Sequence, residues 1–448
     1  MRTMPDFCNY LVMILCSKEE QLVVRSTAGL ILKNQIKSYW TRLDSSVHEV
    51  ICTNVINCLV DTDALIRNIA GTIITTTLVA GGLNSWPGVL QKLLELIYSG
   101  NEIVAASAFS AMSKICEDSY AELCRDEAKP LNFLVPKFMH ILEEDNGKLS
   151  FFALRSLIPF IAVQTEVIEA NLAKFVGILA RKASAEGTIE MKSLIVRALT
   201  DIADSYMDKL GDAITSIMEY MLQMLASGPE DIKLDAAEFW LALSEKEAIN
   251  NVMEKISPRL IPILLQGMVY SEDDVDLLDE EDDKEDDNIK PQHHKARIHN
   301  EQNEEKKSEN QEDEDEEDAD EDDEATSDWN LRRCSAATLD VLSSSIPENI
   351  LVDSLLPLVQ NYISSGNWKH KECAILALGA IAEGCYDSMS AHLSSLVPFL
   401  AENTKHSKAL VRSIACWTLS RYSNWLVSQA INGDSKYVEL ILRSVILY

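Results

Sequence analysis

A six-residue pattern recurs along this chain at a nearly fixed interval: two apolar residues, a basic residue, two of any kind and an alanine. Three copies are clear, "VVRSTA" ending at Ala28, "LIRNIA" ending at Ala70 and "LVRSIA" ending at Ala415. Looser copies end at Ala108, Ala153, Ile195, Ala236, Ala336 and Ala374, so successive spacings are 42, 38, 45, 42, 41, 100, 38 and 41 residues. The single outlier contains an acidic segment, 271–328; without those 58 residues it returns to the common period. Self-similarity at 20–50 residues marks a repeat array, because one repeat cannot bury its own apolar face and stacked neighbours can.

A second apolar stretch precedes most copies: "WPGVLQKLLELI", "LVPKFMHILEE", "ISPRLIPILLQGM", "LLPLVQNYI" and "LVPFLAENT". Each is helical in period and opens near a proline, which the first turn of a helix tolerates because its N–H has no intrahelical partner there. Every repeat therefore reads as two helices, A then B, joined by a short polar turn. Paired helices at a period near 40 define the HEAT class, and no segment alternates as a strand would. The fold class expected is all-α: a HEAT-repeat superhelix of nine A–B pairs with a tenth A helix, "KYVELILRSVILY", and a concave inner surface. Because the array stops within a repeat and has no polar cap, the chain reads as a fragment or an incomplete gene model.

The 448 residues are 47% hydrophobic and 25% charged, an ordinary globular balance. No apolar run approaches the 18 residues of a membrane span, and the N-terminus has no small-residue cleavage site. The ten cysteines include no C-x-x-C and none at zinc spacing to histidine, so they read as free thiols.

The net charge of −31 is concentrated in one place. Residues 271–328 hold 29 Asp and Glu against 6 Lys and Arg, leaving only −8 for the other 390 residues. Such a run cannot bury a core and is expected to be a disordered insertion between the A and B helices of one repeat. As a free coil its ends would average about 45 Å apart. It is either an inert solvating loop or an electrostatic lure or plug for a basic partner. No calcium loop of the D-x-D-x-D-G kind is present, and His293, His294 and His299 are weak metal candidates in such a tract.

Catalytic signatures are missing: there is no P-loop, G-x-G-x-x-G, H-E-x-x-H, G-x-S-x-G or kinase set, and the histidines are dispersed. No enzyme, cofactor or resident metal is expected. The mild acidity outside the insertion, with no Lys/Arg run to track a groove, argues against nucleic acid as the main ligand. What remains is a protein-binding scaffold.

The stretch "KALVRSIACWTLSRYSNW" (408–425) suggests where binding occurs. On a wheel of 100° per residue, Val411, Ala415, Thr418, Leu419 and Tyr422 share the sector that faces neighbouring helices, and Arg412, Ser413, Ser420 and Ser423 a polar one. The third sector holds Leu410, Ile414, Trp417, Arg421 and Trp425. It is either an exposed stripe of hot-spot composition or two tryptophans packed between repeats. On preceding B helices, Arg333, Ala337 and Asp340 share a face, and Leu376 adds an apolar contact. Together these would suit a short extended peptide carrying an aromatic residue, with Asp340 accepting from a tyrosine hydroxyl and Trp417 stacking on a ring or a proline.

Five stretches, "SDWNLRRCSAATLDVL", "LALGAIAEGC", "KALVRSIACWTLSRYSNWLVSQ", "STAGLILKNQIK" and "KICEDS", resemble the transportins, importin-β-like nuclear import receptors for PY-type nuclear localisation signals. The likeness runs over nearly the whole chain, acidic loop included. It implies a receptor that shuttles between cytoplasm and nucleus through the pore, with nucleoporins, PY-signal cargo (RNA-binding proteins among them) and Ran-GTP as partners, and no membrane. It implies three regions: 1–270, a Ran-binding arch; 271–328, the acidic loop; and 329–448, the start of a cargo-binding arch. Carried over by residue, the Pro-Tyr pocket falls on Ala337, Asp340, Leu376, Ile414, Trp417 and Arg421. The switch loop falls on Asp313, Glu314, Asp315, Glu316, Glu317 and Asp318, with Trp329 at its exit. The family also has a repeat ahead of "PDFCNYL" and a C-terminal half beyond Tyr448.

Overall fold

The computed structural model describes residues 6–144, 147–185, 187–246, 250–271 and 329–445. These residues form helices and no strand, and they fall into two compact units, Met1–Ile217 and Met218–Tyr448. The fold is the all-α HEAT-repeat array that the spacing predicts. The acidic insertion lies outside the described residues.

In the first unit the A and B helices pair as α1 (Phe7–Cys16) with α2 (Leu22–Tyr39), α3 (Ser45–Val55) with α4 (Ala64–Gly81) and α5 (Val89–Ile97) with α6 (Glu102–Asp118). They continue as α7 (Leu131–Glu144) with α8 (Lys148–Leu157) and α9 (Glu166–Ala183) with α10 (Ile189–Leu210). The division between the units falls within α11 (Ala213–Ser227). The second unit continues with α12 (Glu230–Ser244), α13 (Asn250–Gly267), α14 (Leu331–Ser345), α15 (Glu348–Ser364), α16 (Trp368–Ala380), α17 (Tyr386–Asn403), α18 (Ala409–Arg421) and α19 (Lys436–Val445). Along the described residues odd numbers take the A position and even numbers the B position, an order that matches the nine pairs and tenth A helix expected.

Within each unit like packs on like. In the first, α2, α4, α6, α8 and α10 stack in sequence; in the second, α12, α14, α16 and α18 do, beside the A-helix row α13, α15, α17 and α19. The nine repeat-register positions, Ala28, Ala70, Ala108, Ala153, Ile195, Ala236, Ala336, Ala374 and Ala415, are all buried. Eight of the nine are alanines, and Ile195 is the one larger side chain. By length and mean hydropathy α4 could cross a membrane, although Arg67 and Asn68 interrupt its apolar run. Here, however, it is a B helix packed between α2 and α6, with nine of its residues buried.

The pattern's basic residue has a structural task. Arg67 donates from Nη1 to the carbonyls of Asp61 and Thr62 (2.8 and 2.9 Å), and Arg412 to those of His406 and Ser407 (3.0 and 3.1 Å). In both, the guanidinium clamps the turn between A and B helices, satisfying carbonyls that no helix can reach. Asp63, Asn101, Thr188, Asn330 and Asn367 cap the starts of α4, α6, α10, α14 and α16 with side-chain oxygens. Ion pairs then link neighbouring repeats about one period apart: Arg155 with Glu117, Arg181 with Glu143 and Lys209 with Glu169 in the first unit, Arg259 with Glu219 and Arg332 with Glu372 in the second.

The prolines depart from expectation. Pro87 precedes its helix, but Pro136, Pro258, Pro262, Pro357 and Pro398 lie inside α7, α13, α15 and α17. The A helices begin earlier than the prolines because their apolar faces do. In α7, Leu131, Leu134 and Val135 are buried before Pro136, and Phe138, Met139, Ile141 and Leu142 after it. That burial offsets the one hydrogen bond each proline removes.

Candidate peptide-binding site

Three successive B helices of the second unit carry the predicted pocket: α14 contributes Ala337 and Asp340, α16 Leu376, and α18 Ile414, Trp417 and Arg421. Ala337, Leu376, Ile414, Trp417 and Arg421 are half-buried and Asp340 is exposed. The wheel's other two sectors also hold: Val411, Ala415, Thr418, Leu419 and Tyr422 are buried, and Arg412, Ser413, Ser420 and Ser423 are exposed.

Side chains of α18 seat it on the C-terminal turn of α16. Thr418 Oγ1 donates to the Ile375 carbonyl (3.0 Å), Tyr422 Oη to that of Leu378 (2.7 Å) and Arg421 Nε to that of Gly379 (3.3 Å). Leu378 and Gly379 lie among the last four residues of α16, whose carbonyls have no partner in the helix itself and so are ready acceptors. Gly379 is essential to this seating. A Cβ there would collide with the Trp417 ring and the Thr418 hydroxyl, so only glycine lets the indole lie against the α16 backbone.

Arg421 ties the surface together. Its guanidinium lies 5.9 Å from the Trp417 ring centroid, donates from Nη2 to Asp340 Oδ1 at 3.3 Å across 81 residues of sequence, and approaches Glu383 at 3.5 Å. The arginine side chain is 28% exposed, so it is neither free in solvent nor sunk in the core. Although half of the Asp340 side chain is open to solvent, partial desolvation of its carboxyl raises it above its usual range; Arg421 opposes the shift and Glu383 adds to it. An indole, aliphatic neighbours and a carboxylate held beside a fixed cation can take an aromatic side chain and accept from its hydroxyl.

Trp425 does not belong to this surface. The chain breaks helical geometry at Tyr422 (φ −95°, ψ 14°), and a separate helix, Ser423–Ile431, follows. The break rotates Trp425 inward. It is buried at 7% exposure and packs on Tyr437 of α19, ring centroids 5.0 Å apart. Of the two readings open in the sequence, partial exposure holds for Trp417 and packing between repeats for Trp425.

Of the predicted switch residues, Asp313, Glu314, Asp315, Glu316, Glu317 and Asp318 lie outside the described residues. Trp329 is half-buried, and its Nε1 donates to Glu238 Oε1 on α12 at 3.0 Å. Just beyond it, Arg332 pairs with buried Glu372, reaches the Met268 carbonyl and lies 3.8 Å from the Tyr270 ring centroid. Burial pushes the Glu372 carboxyl up against the pull of Arg332. The sequence reading missed Gly379, Glu383 and this cluster. The glycine in "LALGAIAEGC" was the one available signal.

Comparison with known proteins agrees with this fold. Residues 2–61 match the importin-β N-terminal domain family and residues 368–422 the HEAT-like repeat family. The fold and its N-terminal domain thus define an importin-β-type HEAT-repeat protein. Transportin-1 of Mus musculus is 40% identical over 433 residues, 95% of this chain and 48% of the relative. Importin subunit beta-2 of Schizosaccharomyces pombe is 39% identical over 447 residues, 95% of this chain and 49% of the relative. A solved complex of Kap95p with RanGDP superposes with a TM-score of 0.66 at 15% identity, covering 98% of this chain and 49% of that one. The chain belongs to the transportin (importin β-2) family and spans about half the length of the curated relatives it matches.

Proposed function

We propose that this chain is part of a nuclear transport receptor. It binds PY-type nuclear localisation signals on cargo at Ala337, Asp340, Leu376, Ile414, Trp417 and Arg421, and it shuttles between cytoplasm and nucleus. The proline–tyrosine pair of the signal rests on Trp417 and the aliphatic residues, and Asp340 accepts from the tyrosine hydroxyl. Ran-GTP binds residues 1–270 and drives the acidic loop, through Asp313–Asp318 and Trp329, against the cargo site, so that cargo is released. Cargoes include RNA-binding proteins, and nucleoporins are the further partners.

The observation that carries this reading is the arrangement of Trp417 and Arg421 on α18 with Asp340 on α14, the indole being seated on Gly379 of the intervening α16. In a chain 40% identical to a transportin, those residues make an aromatic seat beside a fixed charge pair. The bond between Trp329 and Glu238 adds support, since it sets the loop's exit on the B helix next to the pocket's first helix.

The test is fluorescence anisotropy of a labelled peptide ending in Pro-Tyr, beside its Ala-Ala variant, on the full chain. Tighter binding of the Pro-Tyr form, lost in Trp417→Ala by about thirtyfold (~2 kcal/mol), is the expected result. Equal binding of the two peptides would refute the signal class. A loss below twofold in Trp417→Ala would remove Trp417 from the site.

A further inference from the structure

Two cysteines of the first unit meet outside any site described so far. Cys16 is the last residue of α1, and Cys58 lies in the 3-10 turn Ile56–Val60 that closes α3. Their sulfur atoms are 3.3 Å apart although 42 residues separate them in sequence. Both also lie near the Asn54 carbonyl, at 3.8 and 3.9 Å, so one backbone oxygen holds the two thiols on the same side. Cys58 is buried; Cys16 is half-buried and within reach of a small reagent.

We propose that Cys16 and Cys58 form a reversible dithiol–disulfide site, oxidised by a hydroperoxide, that covalently joins the first helix pair to the second. The two sulfurs need to close by only about 1.3 Å to reach disulfide bonding distance, a side-chain movement. The surroundings divide the roles. Cys16 is the only one of the ten thiols whose pKa is lowered. The hydrogen bond with Cys58 is the main cause, burial opposes it, and the Arg25 guanidinium adds to the lowering while Asp61 works against it. Cys58 is pushed up by the same hydrogen bond and by burial. The other eight thiols, Cys8, Cys52, Cys116, Cys124, Cys334, Cys373, Cys385 and Cys416, are all raised, with burial the leading cause. Cys16 is the half-buried sulfur that a small oxidant can reach and Cys58 the buried one, so Cys16 attacks as the thiolate and Cys58 resolves.

The steps balance. The Cys16 thiolate attacks one peroxide oxygen, the O–O bond breaks, and the other oxygen departs and is protonated to water or alcohol. Cys16 is then a sulfenic acid. The Cys58 sulfur attacks the Cys16 sulfur, the S–O bond breaks, and hydroxide leaves with the Cys58 proton as water. Two thiols have lost two electrons and the hydroperoxide has gained them.

The full chain is treated with equimolar hydrogen peroxide, its remaining thiols are blocked with N-ethylmaleimide, and it is digested without reductant for mass spectrometry. A peptide pair joined through Cys16 and Cys58, two hydrogens lighter than the reduced pair and separated by dithiothreitol, is the expected product. Cys58→Ser leaves the attacking residue in place and should trap sulfenic acid at Cys16, read as a dimedone adduct. Cys16→Ser should abolish both products. Since that variant could fail for want of folding, its circular dichroism melt is compared with the parent's. Recovery of both residues as N-ethylmaleimide adducts, or cross-linking of a different pair, would overturn the proposal. Dimedone at Cys58 in Cys16→Ser, with none at Cys16 in Cys58→Ser, would overturn the assignment of roles.

Discussion

The surface on α18 turns on single atoms. Gly379 has no Cβ, and the Trp417 indole occupies the space one would fill. Gly379→Ala is therefore expected to displace the ring and weaken Pro-Tyr peptide binding by about tenfold, with helical circular dichroism unchanged. Unaltered affinity in anisotropy would show that the indole needs no such seat. Tyr422 is the second such residue, since its hydroxyl satisfies the Leu378 carbonyl in the core. Tyr422→Phe leaves that acceptor unpaired and should cost about 1 kcal/mol, seen as a melting point lower by a few degrees. The helical wheel placed the five buried residues of this helix correctly and failed at Trp425. A wheel assumes a constant 100° per residue, and the break at Tyr422 arises where that side chain bonds across to α16. Nothing in the local spacing announces it.

At the level of helices, the repeat pattern joins one pair to the next through polar groups as well as apolar ones. Arg25 of α2 donates from Nε to the Leu15 carbonyl (2.9 Å) and from Nη2 to Asp61 Oδ2 (2.6 Å), with side chains only 8% and 5% exposed. Burial works to raise the Asp61 carboxyl, but the bonds from Arg25 and from the Asp63 amide, with the charges of Arg25 and Lys18, hold it below its usual range. A carboxyl held low in the folded state stabilises it fully above the unfolded pKa of about 3.9. That contribution is lost as pH falls through the lower, folded value. The melting-point gap between the parent and Asp61→Asn should therefore be widest near neutrality and narrow below about pH 4. A gap constant down to pH 3 would show that the pair is not pH-linked. Removing one partner of a buried pair typically costs about 3 kcal/mol, so the neutral-pH gap should be large. The basic position of the repeat was visible in the sequence, but its partners were not, because carbonyls of the A–B turn carry no sequence signature.

For the whole chain, the proposed switch makes a prediction that a plain scaffold does not share. Removal of residues 275–325 should leave Pro-Tyr peptide bound when Ran-GTP is added, whereas the intact chain should release it. Release from both proteins, or from neither, would separate the acidic loop from any switching role. The loop's composition is unambiguous in the sequence, with 29 acidic residues in 58. The residues that follow its C-terminal end are anchored by Trp329 on Glu238 and by Arg332 on Glu372, contacts between residues 91 and 40 positions apart. Separations of that size place them beyond any local reading.

Sequence alone determined the class of fold, its period and the buried register, because a 3.6-residue apolar face repeated about every 42 residues can be satisfied only by stacking helix pairs. It also narrowed the candidate surface to one sector of three B helices. Tertiary structure decided which of two tryptophans stays at the surface, how Arg421 reaches Asp340 across 81 residues, that prolines sit inside the A helices, and that two thiols one repeat apart meet. Each of these depends on how far one helix sits from its neighbour and on where a helix breaks. Those distances are set by packing among residues remote in the chain, which hydrophobic periodicity does not encode.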